Sequence, residues 1–154
     1  MRKASSRQGR AAREAEQLAA SVHARLSDGR EIKVRAGELD ASERGVTFRA
    51  LFVPWHRVLE YRTSVRRPLE ALADDARSRI LVRLVIDDRG DGEQTFTLPA
   101  SRFESDAWSV TILLDGDADP GTVTAERVTY PWHRVVEYER IARIEETPPR
   151  PDQT

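Results

Sequence analysis

A chain of 154 residues with 25 basic and 26 acidic side chains has a formal net charge of −1, so it lacks the broad positive charge of proteins that bind nucleic acid non-specifically. The absence of cysteine excludes disulfides and thiolate metal sites. No run of about 18 apolar residues is present to span a membrane. The basic N-terminus also lacks the apolar segment of a signal peptide, so we expect a cytoplasmic protein without a membrane partner.

The first half of the sequence predicts a tail, a helix and several strands. Residues 1–9 are polar and basic, which is typical of disorder, and the Ala-rich segment Gly9–Ser21 favours a helix. The stretches "SVHARL" and "REIKVRA" alternate in polarity on either side of Asp28-Gly29, which predicts a hairpin with a two-residue turn. "GVTFRALFV" and "WHRVLEYRT" predict two further strands that meet at Pro54.

The second half begins with another predicted helix. Pro68 suits the first turn of a helix over "PLEALADDARS", and four apolar residues share one face, namely Leu69, Leu72, Ala73 and Ala76. Strands are predicted for "RILVRLVID", "EQTFTL", "WSVTILL", "TVTAERVTY" and "HRVVEYERI". The insertion "DGDADPG" makes this half longer than the first, and the proline-containing residues 145–154 predict a disordered tail.

One phrase occurs twice in the chain. Residues Pro54–Tyr61 and Pro131–Tyr138, separated by 77 positions, are identical at seven of eight places. This duplication predicts two pseudo-symmetric repeats, residues 10–66 and 67–144. We therefore expect an α+β, predominantly β fold in which each repeat is a short helix followed by a small, curved antiparallel sheet that resembles a small barrel.

The second copy of the phrase is similar to the signature of a known family. The residues that carry the similarity are Pro131, His133, Arg134, Val135 and Glu137, with Asp88, Arg89 and Gly90 in an upstream turn. They resemble the closing phrase and the turn of the RNA cyclic-group end recognition domain family. The resemblance implies non-enzymatic binding of a processed RNA end, such as a cyclic phosphate, beside an RNA repair or processing enzyme. The first copy has "LSDGREIKV" in place of that turn, so we expect repeat 1 to be mainly scaffold.

Six residues are candidate RNA contacts: Arg89, Trp132, His133 and Arg134 in the second repeat, and His56 and Arg57 in the first. An RNA end is recognised by a cationic group for its phosphate, a hydrogen-bond donor and an aromatic face for an unstacked base, and the candidates supply all three. Side chains alternate along a regular strand, so His133 and Arg134 can share a pocket only if Pro131 gives the strand an irregular start.

Catalysis is not expected from the two histidines of the repeated phrase. Two-histidine phosphoesterases act as acid and base on a cyclic phosphate, but they carry a hydroxyl residue two positions after each histidine. This chain has Val58 and Val135 at those positions. The sequence therefore predicts a binding module without enzymatic activity or cofactor.

Two alternatives remain open. A calcium site is suggested by Asp115, Asp117, Asp119 and Glu126, which fall at positions 1, 3, 5 and 12 of an EF-hand-like spacing. Pro120 stands where that loop requires glycine, and a hairpin tip explains the same residues. The second alternative is an Sm-like or SH3-like small-barrel module that binds protein partners through exposed strand edges. An end-binding module would be a monomer or homodimer, whereas a ring-forming barrel would be a larger oligomer.

Overall fold

A computed structural model describes residues 19–143, apart from the side chains of residues 117–119. In chain order the elements are β1 (Ser21–Leu26), β2 (Glu31–Arg35), β3 (Leu39–Ala41), β4 (Gly45–Phe48), β5 (Leu51–Pro54), β6 (Val58–Pro68), α1 (Glu70–Ala76), β7 (Ile80–Asp88), β8 (Gly92–Pro99), β9 (Phe103–Ser105), β10 (Ser109–Asp119), β11 (Thr122–Pro131) and β12 (Val135–Ala142). Four 3-10 turns, Ala36–Glu38, Trp55–Arg57, Ala100–Arg102 and Trp132–Arg134, lie between strands.

The strands form three antiparallel sheets. One sheet has six strands in the order β2-β1-β6-β11-β10-β9, and two have three strands each, β12-β7-β8 and β3-β4-β5. The predicted predominantly β architecture with a helix is therefore confirmed. The expectation of small barrels is wrong, because none of the sheets formed by residues 19–143 closes on itself and each keeps two edge strands.

The apolar residues collect in two clusters rather than in one shared core. The first cluster draws its buried members from the first half: Ala24, Leu26, Val46, Phe48, Val53 and Val58. The second draws them from the second half: Leu84, Ile86, Val110, Ile112, Val128 and Tyr130. Each half thus has its own small core, and the pairing of β6 with β11 joins the two halves in one sheet. No helix in the described part of the chain is long and apolar enough to cross a membrane.

Two predicted turns differ in detail from the structure. Only Gly29 of the Asp28-Gly29 pair has a positive φ, 88°, and the amide of Leu26 donates to the carbonyl of Arg30, so the loop has three residues instead of two. "GVTFRALFV" is a hairpin rather than one strand, because Arg49 adopts a φ of 62° and turns the chain between β4 and β5. Such a conformation is uncommon for arginine, and the sequence pattern gives no sign of it.

The predicted helices have mixed outcomes. Both tails and most of the first helix, Gly9–Ser21, lie outside the described residues; of its last three residues, Ala19 is helical and Ser21 already belongs to β1. The second helix exists as α1, but Pro68 ends β6 instead of opening the helix. Its expected apolar face is also wrong, since the one buried residue of α1 is Asp75.

An ionic cluster around Asp75 attaches α1 to the sheets. Arg67 donates two hydrogen bonds to the carboxylate, of 2.9 and 3.2 Å, while Ser101 and Arg102 donate bonds of 2.6 and 2.7 Å. Both arginines also pair with Asp115. Burial opposes ionisation of Asp75, but the bonds from Arg67, Ser101 and Arg102 outweigh it and hold the pKa of this carboxyl far below its ordinary 3.8.

We expect Asp75→Asn to lower the free energy of unfolding by about 3 kcal/mol at neutral pH, because two arginines lose a buried counter-charge. Since the pKa of Asp75 is depressed in the folded state, its contribution is fully present above the ordinary pKa of 3.8 and is lost as the pH falls through the folded value. The difference in the free energy of unfolding between the variant and the wild type should therefore become smaller at acidic pH. Urea unfolding at several pH values measures this, with exposed Asp74→Asn as the control; a difference that is independent of pH would contradict the prediction.

Candidate binding site

The repeated phrase adopts the same local backbone in both places. Pro54 and Pro131 have φ and ψ of −61° and 149°, and −60° and 151°, and each precedes a 3-10 turn of Trp, His and Arg. The expectation of strand from Trp55 onward is therefore wrong, because β6 and β12 begin only at the following valine. Proline fixes the extended entry, and the tight turn frees the next three side chains from strand alternation.

The two tryptophans are anchored in the same way. The indole Nε1 of Trp55 donates to the carbonyl of Ser42 over 2.7 Å, and that of Trp132 donates to the carbonyl of Asp106 over 2.8 Å. Trp132 also packs edge-on against Tyr138, with ring centroids 6.1 Å apart. About a third of Trp132 stays exposed, so part of its ring is accessible to a ligand.

The two histidines have different surroundings. Nε2 of His133 lies 2.9 Å from the carbonyl oxygen of Trp55 and 2.8 Å from that of Val58, both in the first half. Because both partners are acceptors, Nε2 must carry the proton. His56 is exposed in the first half, and no corresponding bond from its ring is present among the described residues. His133 therefore fastens the second phrase to the first, whereas His56 faces outward.

The two arginines differ still more. Arg134 is 3% exposed, and its guanidinium donates to the carbonyls of Asp87 and Leu59 over 2.9 and 3.0 Å and to the carboxylate of Glu60 over 3.2 Å. Arg57, with 47% of its side chain exposed, pairs with Asp28 over 3.3 Å. All the nitrogens of Arg134 are bonded to protein oxygens, so the residue expected to hold an RNA phosphate is used inside the protein.

Glu60 is the centre of this junction between the halves. Its buried carboxylate accepts hydrogen bonds from Arg25 and Arg134, and Arg62 lies 3.7 Å away. Burial raises the pKa of Glu60, but the bond from Arg25 and the charges of Arg25, Arg62 and Arg134 outweigh it, so the pKa lies below its ordinary value. Glu60 was not among the predicted site residues, although a glutamate at the same position in both copies of the phrase, beside apolar neighbours, was a usable signal.

Glu137 is the same position in the second copy, but it lies at the surface. It pairs with Arg83 of its own half, which also contacts Glu139 over 3.2 Å. The side chain of Glu137 is 53% exposed, against 2% for Glu60. Within residues 19–143, no arginine from the other half reaches Glu137.

The six predicted contacts do not form one pocket. His133 and Arg134 do point the same way, as an irregular strand start allows, but towards the backbone of residues 55–60. Arg89 is exposed at the tip of the β7–β8 hairpin, where Gly90 has a φ of 101°, and it has no partner among the described residues. His56, Arg57 and Arg89 are accessible, Trp132 is partly so, and Arg134 is not.

The acidic residues of the calcium alternative lie on a hairpin, not on a loop. Asp115 belongs to β10 and pairs with Arg102, and Glu126 belongs to β11 and lies 3.6 Å from Arg62. The side chains of Asp117 and Asp119 are not described. Among the side chains that are described, no group of three or more metal-ligating residues occurs.

Arg134→Ala should lower the free energy of unfolding by about 3 kcal/mol, because it leaves buried Glu60 and two carbonyls without their donor. The matched control is Arg57→Ala, which removes the same residue from the first copy and should cost less than about 1 kcal/mol, since that ion pair is exposed. Arg134→Lys should fall between them because one ammonium group cannot replace a guanidinium fork. Urea denaturation measures all three; equal losses for the two alanine variants would contradict this assignment.

No protein-family model, curated protein or solved structure matches this chain. The resemblance of the second half to the RNA cyclic-group end recognition domain therefore depends on its motif residues alone.

Proposed function

We propose that the chain is a non-enzymatic interaction module that binds a partner polypeptide along two open edges, those of β5 and β12. Among the described strands, β5 pairs only with β4, and β12 pairs only with β7. Both edges carry large exposed apolar side chains, Leu51 and Phe52 on β5 and Val136 and Ile141 on β12. Unpaired amides and carbonyls beside apolar side chains favour the addition of another strand. This coincidence of open edge and exposed apolar surface is the observation that carries the proposal.

The chain already contains one such contact. Strand β6 begins within the first copy of the phrase and β11 leads into the second, and the two strands pair from Thr122 opposite Pro68 to Thr129 opposite Tyr61. We call this pairing the seam. Strand β12 begins within the second copy and β5 leads into the first. They occupy the same places in the duplicated sequence, but β5 and β12 are not paired with each other.

Local pairing supports the inference that the halves are pseudo-symmetric repeats. Gly45 lies opposite Pro54 in the β4–β5 hairpin, and Ser109 lies opposite Pro131 in the β10–β11 hairpin. Each half also runs through a hairpin, a 3-10 turn, a short strand, a second hairpin, another 3-10 turn and a closing strand. Under this relation, β5 corresponds to β11 and β12 to β6, and the open edges are the two unused sides of the seam.

A synthetic peptide of residues 122–131, "TVTAERVTYP", tests edge binding. These residues form β11, which pairs with β6 in the seam, and β12 is the counterpart of β6, so the peptide should pair with β12 as a partner strand would. We expect weak binding, with a Kd on the order of 0.1 mM, because a short flexible strand loses conformational freedom when it is ordered. Val136→Asp should abolish binding, and Lys33→Asp on β2, an edge strand of the six-stranded sheet, should leave it unchanged. The measurement is fluorescence anisotropy of the labelled peptide.

An N-methylated version of this peptide, with alternate amides blocked, is the control for backbone pairing and should not bind. Equal binding of the two peptides, or no binding of either, would refute addition of a strand to the β12 edge.

Binding of an RNA end is a second candidate, supported by Arg89. The arginine stands exposed at a glycine-containing hairpin tip, in the Asp-Arg-Gly sequence that carries the family resemblance, and it has no ionic partner within residues 19–143. A guanidinium in this position can donate two hydrogen bonds to one phosphate. With Arg134 buried, Arg89 replaces it as the proposed phosphate contact.

RNAs of identical sequence that end in a cyclic phosphate, an open phosphate or a hydroxyl test this second candidate. We expect the cyclic phosphate to bind most tightly, Arg89→Ala to remove that preference, and exposed Arg44→Ala to keep it. One phosphate contact with a single strand gives a slope of about −0.7 in a plot of log affinity against log salt concentration. Equal, weak binding of all three ends would reject RNA-end recognition.

A further inference from the structure

We propose that the partner at the open edges is a second copy of this chain, joined head to tail, with β5 of one copy paired to β12 of the next. This inference rests on the edge-binding function proposed above and names its partner. The seam indicates this partner. Its strands β11 and β6 are the counterparts of β5 and β12, so the chain already contains the strand pairing that two copies would form. A second copy is the one polypeptide certain to carry both complementary strands.

On the β5 edge, the exposed apolar residues are the counterparts of residues that are buried at the seam. A shift of 77 positions makes Leu51 the counterpart of Val128 and Phe52 the counterpart of Thr129. Val128 and Thr129 are 0% and 4% exposed, whereas Leu51 and Phe52 are 42% and 48% exposed. The exposed Phe52 is also larger than its buried counterpart Thr129. A head-to-tail contact would remove from water the apolar surface that the single chain leaves on β5.

The charged residues show the same contrast. At the end of the seam, Arg134 of one half lies 3.2 Å from Glu60 of the other, and both are buried. Their counterparts Arg57 and Glu137 are both exposed and lie on opposite open edges. Joining two copies head to tail brings Arg57 of one copy to Glu137 of the next. The contact would therefore reproduce an ion pair that the sequence already encodes twice.

The hairpin aspartates strengthen the correspondence. Arg134 lies 3.9 Å from Asp88 of its own half, and Arg57 lies 3.3 Å from Asp28 of its own half. Each arginine is thus placed against the first hairpin of its repeat, but only Arg134 has the other half on its remaining side. His56 follows the same relation. Its ring would donate to the carbonyls of Trp132 and Val135 of the next copy, as His133 donates to those of Trp55 and Val58 within the chain.

The seam also sets the register of the new contact. Tyr61 opposite Thr129 in the seam becomes Tyr138 opposite Phe52, and Arg62 opposite Val128 becomes Glu139 opposite Leu51. Strand β5 has four residues and β11 has ten, so the ladder between copies is shorter than the seam. We therefore expect weaker association than within the chain, where the connection between the halves also raises the effective concentration.

Two complementary variants test the head-to-tail contact. Phe52→Asp blocks the β5 edge, and Val136→Asp blocks the β12 edge; both positions are exposed, so the fold of the single chain should persist. The wild type should self-associate at roughly 0.1 mM, and each variant alone should sediment as a monomer. An equimolar mixture should form a one-to-one dimer, because each variant retains the edge that the other lacks. Sedimentation velocity measures all of these states, and Lys33→Asp on the β2 edge should associate like the wild type.

Exchange of the charges provides an independent test. Arg57→Glu and Glu137→Arg should each weaken self-association at least tenfold, and the doubly substituted chain should recover most of it, since the ion pair is restored in reverse. Circular dichroism of each variant confirms that the fold is intact. Association that survives both blocking variants, or a mixture that stays monomeric while the wild type associates, would overturn the head-to-tail contact.

The outcomes separate this inference from the proposed function. A monomeric wild type that still binds the residue 122–131 peptide at the β12 edge would refute the second copy as partner and leave the edge-binding function standing. A monomeric wild type that fails to bind the peptide would refute both.

Discussion

The structure depends on the buried contact between Arg134 and Glu60. A guanidinium and a carboxylate are costly to remove from water unless each retains hydrogen-bond partners. Here the carboxylate also receives Arg25, and the guanidinium also meets the carbonyls of Leu59 and Asp87. The pair fastens the turn of the second phrase to the strand that follows the first. Together with the pairing of β6 and β11, this contact joins the two halves, each of which has its own small apolar core.

This junction gives the two copies of one phrase different tasks. From its Asp-Arg-Gly turn, the second copy was predicted to bind the ligand and the first to be mainly scaffold. The structure buries the second copy's arginine in the seam and leaves Arg57 and His56 at the surface. Identical residues can differ in this way because burial depends on what packs against them. A duplicated chain has one internal junction and two unmatched outer sides.

Charge also replaces apolar packing where the halves are short of hydrophobic residues. Helix α1 has an Ala-rich and Leu-containing sequence, yet it is attached to the sheets by Asp75, Arg67 and Arg102. The β10–β11 hairpin contributes Asp115 to this cluster. One acidic residue of the EF-hand-like spacing is thus explained by an ion pair with Arg102. In a chain with one third charged residues, ion pairs with several shared partners provide directional contacts that a small apolar core does not.

The predominantly β architecture, most strand positions and the doubled phrase could be predicted from the residues alone, because polarity alternation, turn residues and proline act over a few neighbouring residues. It could not determine that "WHR" forms a 3-10 turn, that Arg49 turns the chain between β4 and β5, or that α1 buries an aspartate. Which copy of the phrase is buried and which strand edges stay open follow from packing in three dimensions. Burial depends on residues that are distant in the chain: Arg134 donates to the carbonyl of Leu59, 75 positions away, and the pKa of Glu60 is lowered mainly by Arg25, 35 positions away. Two copies with the same local sequence carry no local sign of that difference.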